Sequence, residues 1–447
     1  MRATPLPAGV DLHSLHRLAP ELYPFLLQST ATSSKLGGFD VLFLTRGDAL
    51  VLEQPGVLSG HGANEQSEFL PALDAWWQQE RVDSTGDDWP FKGGWFLYLG
   101  YELAAEVEPR LELQPDPIMP TAFAVRCPAA IIRNHQDRNC FLINESSGGI
   151  DPAVVLEDVA ATQTLSESQS LDESPEVEEE DPSLFLDAVA KAKQYIARGD
   201  IYQANLSRGW SATMDQDIDA NRIYRALRTA NPGPFAGLIN WRGVSVVSSS
   251  PERLLQVKNG IASTRPIAGT RPRSTDRAED QKLLEELLAH PKERAEHVML
   301  IDLERNDLGR VCDPGTVEVD EMMVVESYAH VHHIVSNVRG LLRNGVTPGE
   351  IIRAVFPGGT ITGCPKVRCM EIISELETGP RGAYTGSFGY LNRDGSLDLN
   401  ILIRTLVIRD NQVTLRAGSG IVADSEPEAE LGETRAKAKG LIRALSP

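Results

Sequence analysis

Four glutamates stand in two E-x-x-E pairs, Glu293 with Glu296 in "KERAEHVMLIDLERNDLGR" and Glu430 with Glu433 in "EPEAELGETRAKAKGLIRAL". At i, i+3 each pair lies on one face of a helix. Two such helices facing one another would offer hard oxygen ligands to Mg2+, which keeps water and shares its coordination with an anionic substrate. Taken singly, an E-x-x-E pair is more often a solvated helix face. What shifts the balance is the apolar "VMLIDL" after Glu296, which drives the first helix into the core.

Cations form the second group. Arg404 lies inside "LNILIRTLVI", read as an apolar strand in which an unpaired guanidinium would be costly. It is placed to face a cleft and grip a carboxylate bidentately; an internal ion pair is the competing reading. Lys437, one turn after Glu433, brings a second positive charge. Tyr384 and the "AGSG" turn at 417–420 bring further donors.

A third candidate is the loop "FPGGTITGCPK", residues 356–366. Gly358 and Gly363 are spaced as in a phosphate loop, but Cys364 and Pro365 stand where that motif needs Lys and Ser/Thr. Pro365 suits a first helical turn, and Val367, Met370, Ile373 and Leu376 then share one face. A glycine turn feeding a helix amino terminus offers N–H donors to an anion, and a carboxylate is as acceptable there as a phosphate. The alternative is a tight turn that needs glycine only for its dihedrals. The histidines of "HVHH" (His330, His332, His333) lack the further ligands a zinc site requires. One of them in hydrogen bonding or proton transfer is the better reading. Alternation along a strand puts His330 and His332 on one face and His333 on the other.

These residues need a scaffold, and the 447-residue chain can build one. With 41% hydrophobic and 24% charged residues it has the composition of a globular protein. The net charge of −20 argues against a nucleic-acid binder, while leaving room for a local cationic pocket. No apolar run reaches a membrane span, and the first residues lack a signal-peptide pattern, so the expected location is cytoplasmic. Five cysteines form no C-x-x-C pair, which fits reduced thiols. Residues 161–183 carry eight acidic and no basic side chains and read as a solvated linker. It separates a β-rich region, 1–160, from a mixed region, 184–447. The latter has helical stretches near 276–306 and 365–378 and a terminal meander with "RDG" and "RDN" turns. The expected fold class is α+β, a large mixed domain with antiparallel sheets flanked by helices.

Taken in order, "RPIAGTRPR", "ERAEHVMLIDLERNDLGRV", "VHHIVSNVRG", "FPGGTITGCPKVRCMEII", "AYTGSFGYL" and "GSGIVADSEPEAELGETRAKA" resemble the chorismate-utilising enzymes, over about residues 180–445. The loop, "AHVHHIVS" and "LLQS" (26–29) are most similar to the p-aminobenzoate branch. The resemblance implies Mg2+ on Glu296 and Glu433, with Glu293 and Glu430 nearby. It implies Arg404, Tyr384, Gly418, Ser419 and Gly420 on the enolpyruvyl carboxylate, and Lys437 beside the metal-bound carboxylate. Gly359, Thr360 and His333 would meet the ring carboxylate or the 4-hydroxyl, and Glu252 in "SSSPERLL" would be the general acid. Ser29 marks the region that forms a tryptophan pocket in the anthranilate branch, where Gln28 replaces that branch's glutamate.

Two departures matter. Many p-aminobenzoate members carry "PIKGT", whose lysine attacks the ring; here Ala268 gives the "PIAGT" of the anthranilate branch. Gln203 stands where the isochorismate and salicylate branch has a water-activating lysine, which favours ammonia as nucleophile. No glutaminase motif is visible, so the resemblance implies a glutamine amidotransferase partner and a separate lyase, aminodeoxychorismate lyase, downstream. Anthranilate synthesis and a non-catalytic subunit that senses an amino acid are the alternative readings.

Overall fold

The computed structural model describes all residues except 31–37, 84–85, 87, 166–174, 215–217, 329–330 and 447. Among these residues the chain forms a twelve-stranded and an eleven-stranded sheet, with the strand pairings antiparallel, as expected for the α+β class. The two sheets meet face to face through an aromatic core. Phe25 of the first stacks on Phe96 of the second with ring centroids 4.1 Å apart, and Phe43, Phe123, Val246 and Phe388 fill the space around them. A Cβ on Gly237 would come within 2.6 Å of Phe388 Cζ, so glycine is what lets the sheets approach there.

The outer faces are covered by helices. Helices 12–18, 152–162, 220–230 and 427–443 bury apolar residues on the first sheet, and helices 69–80, 291–309 and 348–355 do so on the second. Three helices matter for the site: α1 (Pro291–Gly309), α2 (Lys366–Leu376) and α3 (Pro427–Arg443).

Both sheets draw strands from both sides of residues 161–183. Phe25–Gln28 pairs with Phe235–Trp241 in the first, and Gly94–Leu99 pairs with Ser387–Asn392 in the second. Residues 166–174 of the acidic segment lie outside the described residues, but its end is not a solvated linker. Val177–Glu179 is an edge strand on Gln203–Thr213, and Glu179 bridges Arg208 and Arg435. The charge that predicts solvation here instead finds buried and half-buried arginines.

Three further expectations change. The helical stretch near 276–306 is two helices, Arg277–Ala289 and α1, broken at His290 before Pro291. The terminal meander is divided: Ser387–Asn392 and Leu397–Asn400 belong to the second sheet, Thr405–Arg409 and Gln412–Ile421 to the first. Arg404 therefore lies in no strand. It stands at the crossing between sheets with φ of 55°.

Candidate active site

Two chain crossings between the sheets build the centre of the site. One runs from Val244–Ser250 to Arg253–Lys258 and carries Glu252; the other runs from Leu397–Asn400 to Thr405–Arg409 and carries Arg404. They are stitched together by backbone bonds, Ile401 N–H to the Glu252 carbonyl at 3.0 Å and Ser249 N–H to the Arg404 carbonyl at 3.1 Å.

Glu252 is buried, and its Oε1 makes no full hydrogen bond. Burial pushes its carboxyl up to about 8, helped by the nearby Glu304 carboxylate and opposed by the Thr360 hydroxyl, the Ile267 N–H and Lys437. The glycine loop lies against it. A Cβ on Gly358 would press on Ile401 and Leu254 at 3.0 and 3.3 Å, and one on Gly359 would strike Leu303 Cδ2 at 2.4 Å. Thr360 Oγ1 stands near enough to the Glu252 carboxyl to oppose that rise, without completing a hydrogen bond. The loop does not feed the α2 amino terminus directly. A 3-10 turn, Gly359–Ile361, and a short strand, Gly363–Cys364, paired with Gln203–Ala204, intervene. The loop read from sequence as feeding the helix amino terminus is thus a turn of its own.

The opposite wall is cationic. Arg404 Nη1 donates to the Lys437 carbonyl at 2.7 Å, and no salt bridge to Arg404 forms among the described residues. Burial lowers its pKa, against the influence of Tyr384 and Glu433. Lys437 Nζ donates to the Gly418 carbonyl at 2.9 Å and bridges Glu433 at 2.7 Å. A Cβ on Gly418 would meet the Tyr384 hydroxyl at 2.7 Å, so that phenol packs on bare backbone. His333 hydrogen-bonds Thr270 at 2.9 Å, and burial lowers it to about 4, with the Arg404 charge adding to the effect. Both effects favour the neutral imidazole. His332 turns away to Asp280 and Ser327, and His330 lies outside the described residues.

Glu296 completes the circuit. It accepts a 2.9 Å bond from Gln203 Nε2, and its Oε1 would lie 3.6 Å from a Cβ on Gly420. Glu293 and Glu430 occupy first turns of their helices, where a carboxylate is favoured by the dipole. Glu293 is also paired with Arg271 at 3.1 Å. Among the described residues no three His, Cys, Asp or Glu side chains form a metal cage. Glu296 lies beside Gly420, and Glu433 reaches Gly418 through Lys437, so one or two carboxylates, the number a Mg2+ ion that retains water would need, are at this strand end. Buried oxygens without partners also converge here: Gln203 Oε1, Asn205 Oδ1 and Ser419 Oγ. Such atoms suit a polar ligand.

Ser29 is elsewhere. It lines a separate cavity of about 810 Å³ with Phe39, Trp89, Phe235, Phe388 and Tyr390, whose lining includes none of Glu252, Glu296, Thr360, Tyr384, Arg404 and Lys437. Sequence reading missed Glu304 and Asp307, whose i, i+3 spacing within the apolar face of α1 (Ile301, Leu308) was the available signal. It also missed the buried Glu377–Arg381–Arg416 network behind Tyr384.

A family profile described as chorismate binding enzyme matches residues 34–443. The chain belongs to this family. Relatives in it include an anthranilate synthase component I-like protein of Synechocystis, 46% identical over 80% of this chain and 73% of its own length. Aminodeoxychorismate synthase component 1 of Bacillus subtilis is 39% identical over 85% and 83%. The crystal structure of anthranilate synthase component I from Streptococcus pneumoniae superposes with a TM-score of 0.80 at 32% identity, covering 92% of this chain and 93% of that one. The family thus has the same two-sheet fold, and this member is an enzyme that acts on chorismate. No helix among the described residues is long and apolar enough to cross a membrane.

Proposed function

We propose that the protein replaces the 4-hydroxyl of chorismate with an amino group, giving 4-amino-4-deoxychorismate for p-aminobenzoate and folate synthesis. The observation that carries the reading is the pairing of a buried, proton-retaining Glu252 with a glutamine, not a lysine, beside Glu296. A site that activated water would need a base there. Gln203 instead presents an unpartnered carbonyl oxygen, suited to accept an N–H of ammonia. The branch is supported by Gln28, which replaces the glutamate of the anthranilate branch. It is held by Asp40 at 3.1 Å and by the Tyr224 hydroxyl at 3.2 Å.

Arg404 and Tyr384, with Gly418, Ser419 and Gly420, hold the enolpyruvyl carboxylate. Lys437 lies beside the ring carboxylate, and Gly359, Thr360 and His333 meet the ring carboxylate or the 4-hydroxyl. Glu296 and Glu433, with Glu293 and Glu430 as outer partners, would hold Mg2+, which would supply charge neutralisation at the ring carboxylate. Glu252 gives its proton to the 4-hydroxyl as the C–O bond breaks and water leaves. A C–N bond forms, and a proton lost from the incoming nitrogen balances the one consumed. Ammonia comes from a glutamine amidotransferase subunit, and a separate lyase removes pyruvate.

Anthranilate synthesis is the second reading, favoured by Ala268, a buried position where lysine would supply covalent catalysis. Incubation with chorismate, Mg2+ and ammonium, without lyase, separates the two. A non-aromatic amino product retaining its enolpyruvyl group is expected. Fluorescent anthranilate with free pyruvate would overturn the proposal, and no product even with an amidotransferase would leave a ligand-sensing subunit.

A further inference from the structure

Glu304 is the buried acid that this mechanism leaves unused. It lies on α1 two turns beyond Glu296, 6% exposed and near enough for its charge to act on Glu252. The glycine loop is the spacer between them. Gly358 packs on Leu254 and Ile401, the neighbours of Glu252, while the Cβ position of Gly359 is 3.4 Å from Glu304 Oε1. One turn along α1, Asp307 bridges Lys366, whose Nζ also donates to the Val355 carbonyl at 2.9 Å. Two carboxylates of one helix therefore hold both ends of the loop, Glu304 at Gly359 and Asp307, through Lys366, at Val355.

We propose that Glu304 is a positioning residue for Glu252, sharing the buried site's proton with it across the glycine loop so that the acid is reloaded after each turnover. This rests on the reading of Glu252 as the general acid. After Glu252 has given its proton to the leaving hydroxyl, the Glu304 carboxyl returns one to the Glu252 carboxylate. Glu304 is itself refilled by the proton released from the incoming nitrogen, so the cycle balances. The groups acting on Glu252 are Glu304 from α1, Thr360 from the loop, the Ile267 N–H and Lys437 from α3. Those acting on Glu304 are Asp307, Lys366, the Thr264 hydroxyl and the Gly359 N–H. Burial raises Glu304, and Asp307 raises it further.

The signs give a test that a merely structural role would fail. In Glu304→Gln the like charge next to Glu252 is gone, so the alkaline limb of kcat, at constant free ammonia, moves to lower pH by about one unit. In Asp307→Asn, Glu304 ionises more readily, and the limb moves to higher pH. Infrared titration of the protonated carboxyl bands reads the same couplings without turnover. Glu304→Gln should remove one band and lower the midpoint of the other, and Glu252→Gln should lower the midpoint of Glu304. Limbs that stay in place while only KM for chorismate rises would overturn the proposal, as would carboxyl bands that titrate independently. If the wild-type chain fails to aminate chorismate, the functional reading falls, and the infrared couplings still decide the proton sharing.

Discussion

Glu252 is 5% exposed and keeps an unbonded carboxyl oxygen beside the glycine loop, whereas half of the Glu433 side chain reaches solvent and is bridged to Lys437. The two glutamates belong to one site and are treated in opposite ways. Around Glu252 the fold withholds water and compensating charge, so the neutral acid is favoured. Around Glu433 and Glu296 it supplies instead a lysine and a glutamine amide, Lys437 bridging the first and Gln203 donating to the second. Environment, not residue type, sets Glu252 apart from Glu296 and Glu433.

Glu252→Gln should break this contrast most severely. The amide cannot supply a proton, and kcat should fall by about 10²–10⁴-fold with chorismate binding, measured by equilibrium titration, nearly intact. In the unaltered enzyme the sign of the pH dependence follows from the raised pKa. The acid is charged with its proton below about 8, so turnover at constant free ammonia should decline as pH rises through that value. Glu252's contribution to folding stability runs the same way. It is fully present below the ordinary carboxyl value of 4.5 and lost as pH rises through about 8.

Glu296→Gln should damage the other half. Apparent Mg2+ affinity should drop by no less than the roughly 10–100-fold that outer-sphere partners cost, with the pH limb from Glu252 unmoved. Unchanged Mg2+ dependence would remove Glu296 from the cation cradle. The smallest effect is expected from Gly359→Ala, whose new methyl meets Leu303 Cδ2 at 2.4 Å. Because that atom ends a side chain that can rotate, about 1 kcal/mol of stability should be lost, read from denaturant midpoints. A several-fold rise in KM for chorismate should accompany it. A variant as stable and as active as its parent would show that the loop does not need its close approach to α1.

How legible was this in the sequence? The E-x-x-E pairs, Lys437 and the glycine loop could be read because each depends on spacing within one element, which helical and turn geometry fixes locally. Arg404 was recognised as costly in an apolar run, but its placement in a strand was wrong. Local pattern cannot reveal that the chain leaves one sheet at residue 400 and joins the other at 405. Glu252 was invisible on its own terms, since nothing in "SSSPERLL" distinguishes a buried acid from a surface one; only the family resemblance singled it out. Its burial depends on Ile401 and the loop, some 150 and 100 residues away. Glu304 failed for the same reason, although its apolar helical neighbours gave a faint signal.

The strand pairing described for both sheets also has a temporal meaning. Gly94–Leu99 has no neighbour on one side until Ser387–Asn392 exists, nearly three hundred residues later. At ordinary rates of protein synthesis that interval is on the order of 15–60 s. Throughout it the nascent chain carries an open, strongly apolar edge, "GWFLYL", of the kind that invites pairing with other chains. The interleaving that joins Glu252 to Arg404 leaves that edge open in the half-made protein, and the site comes into being only when the last strands arrive.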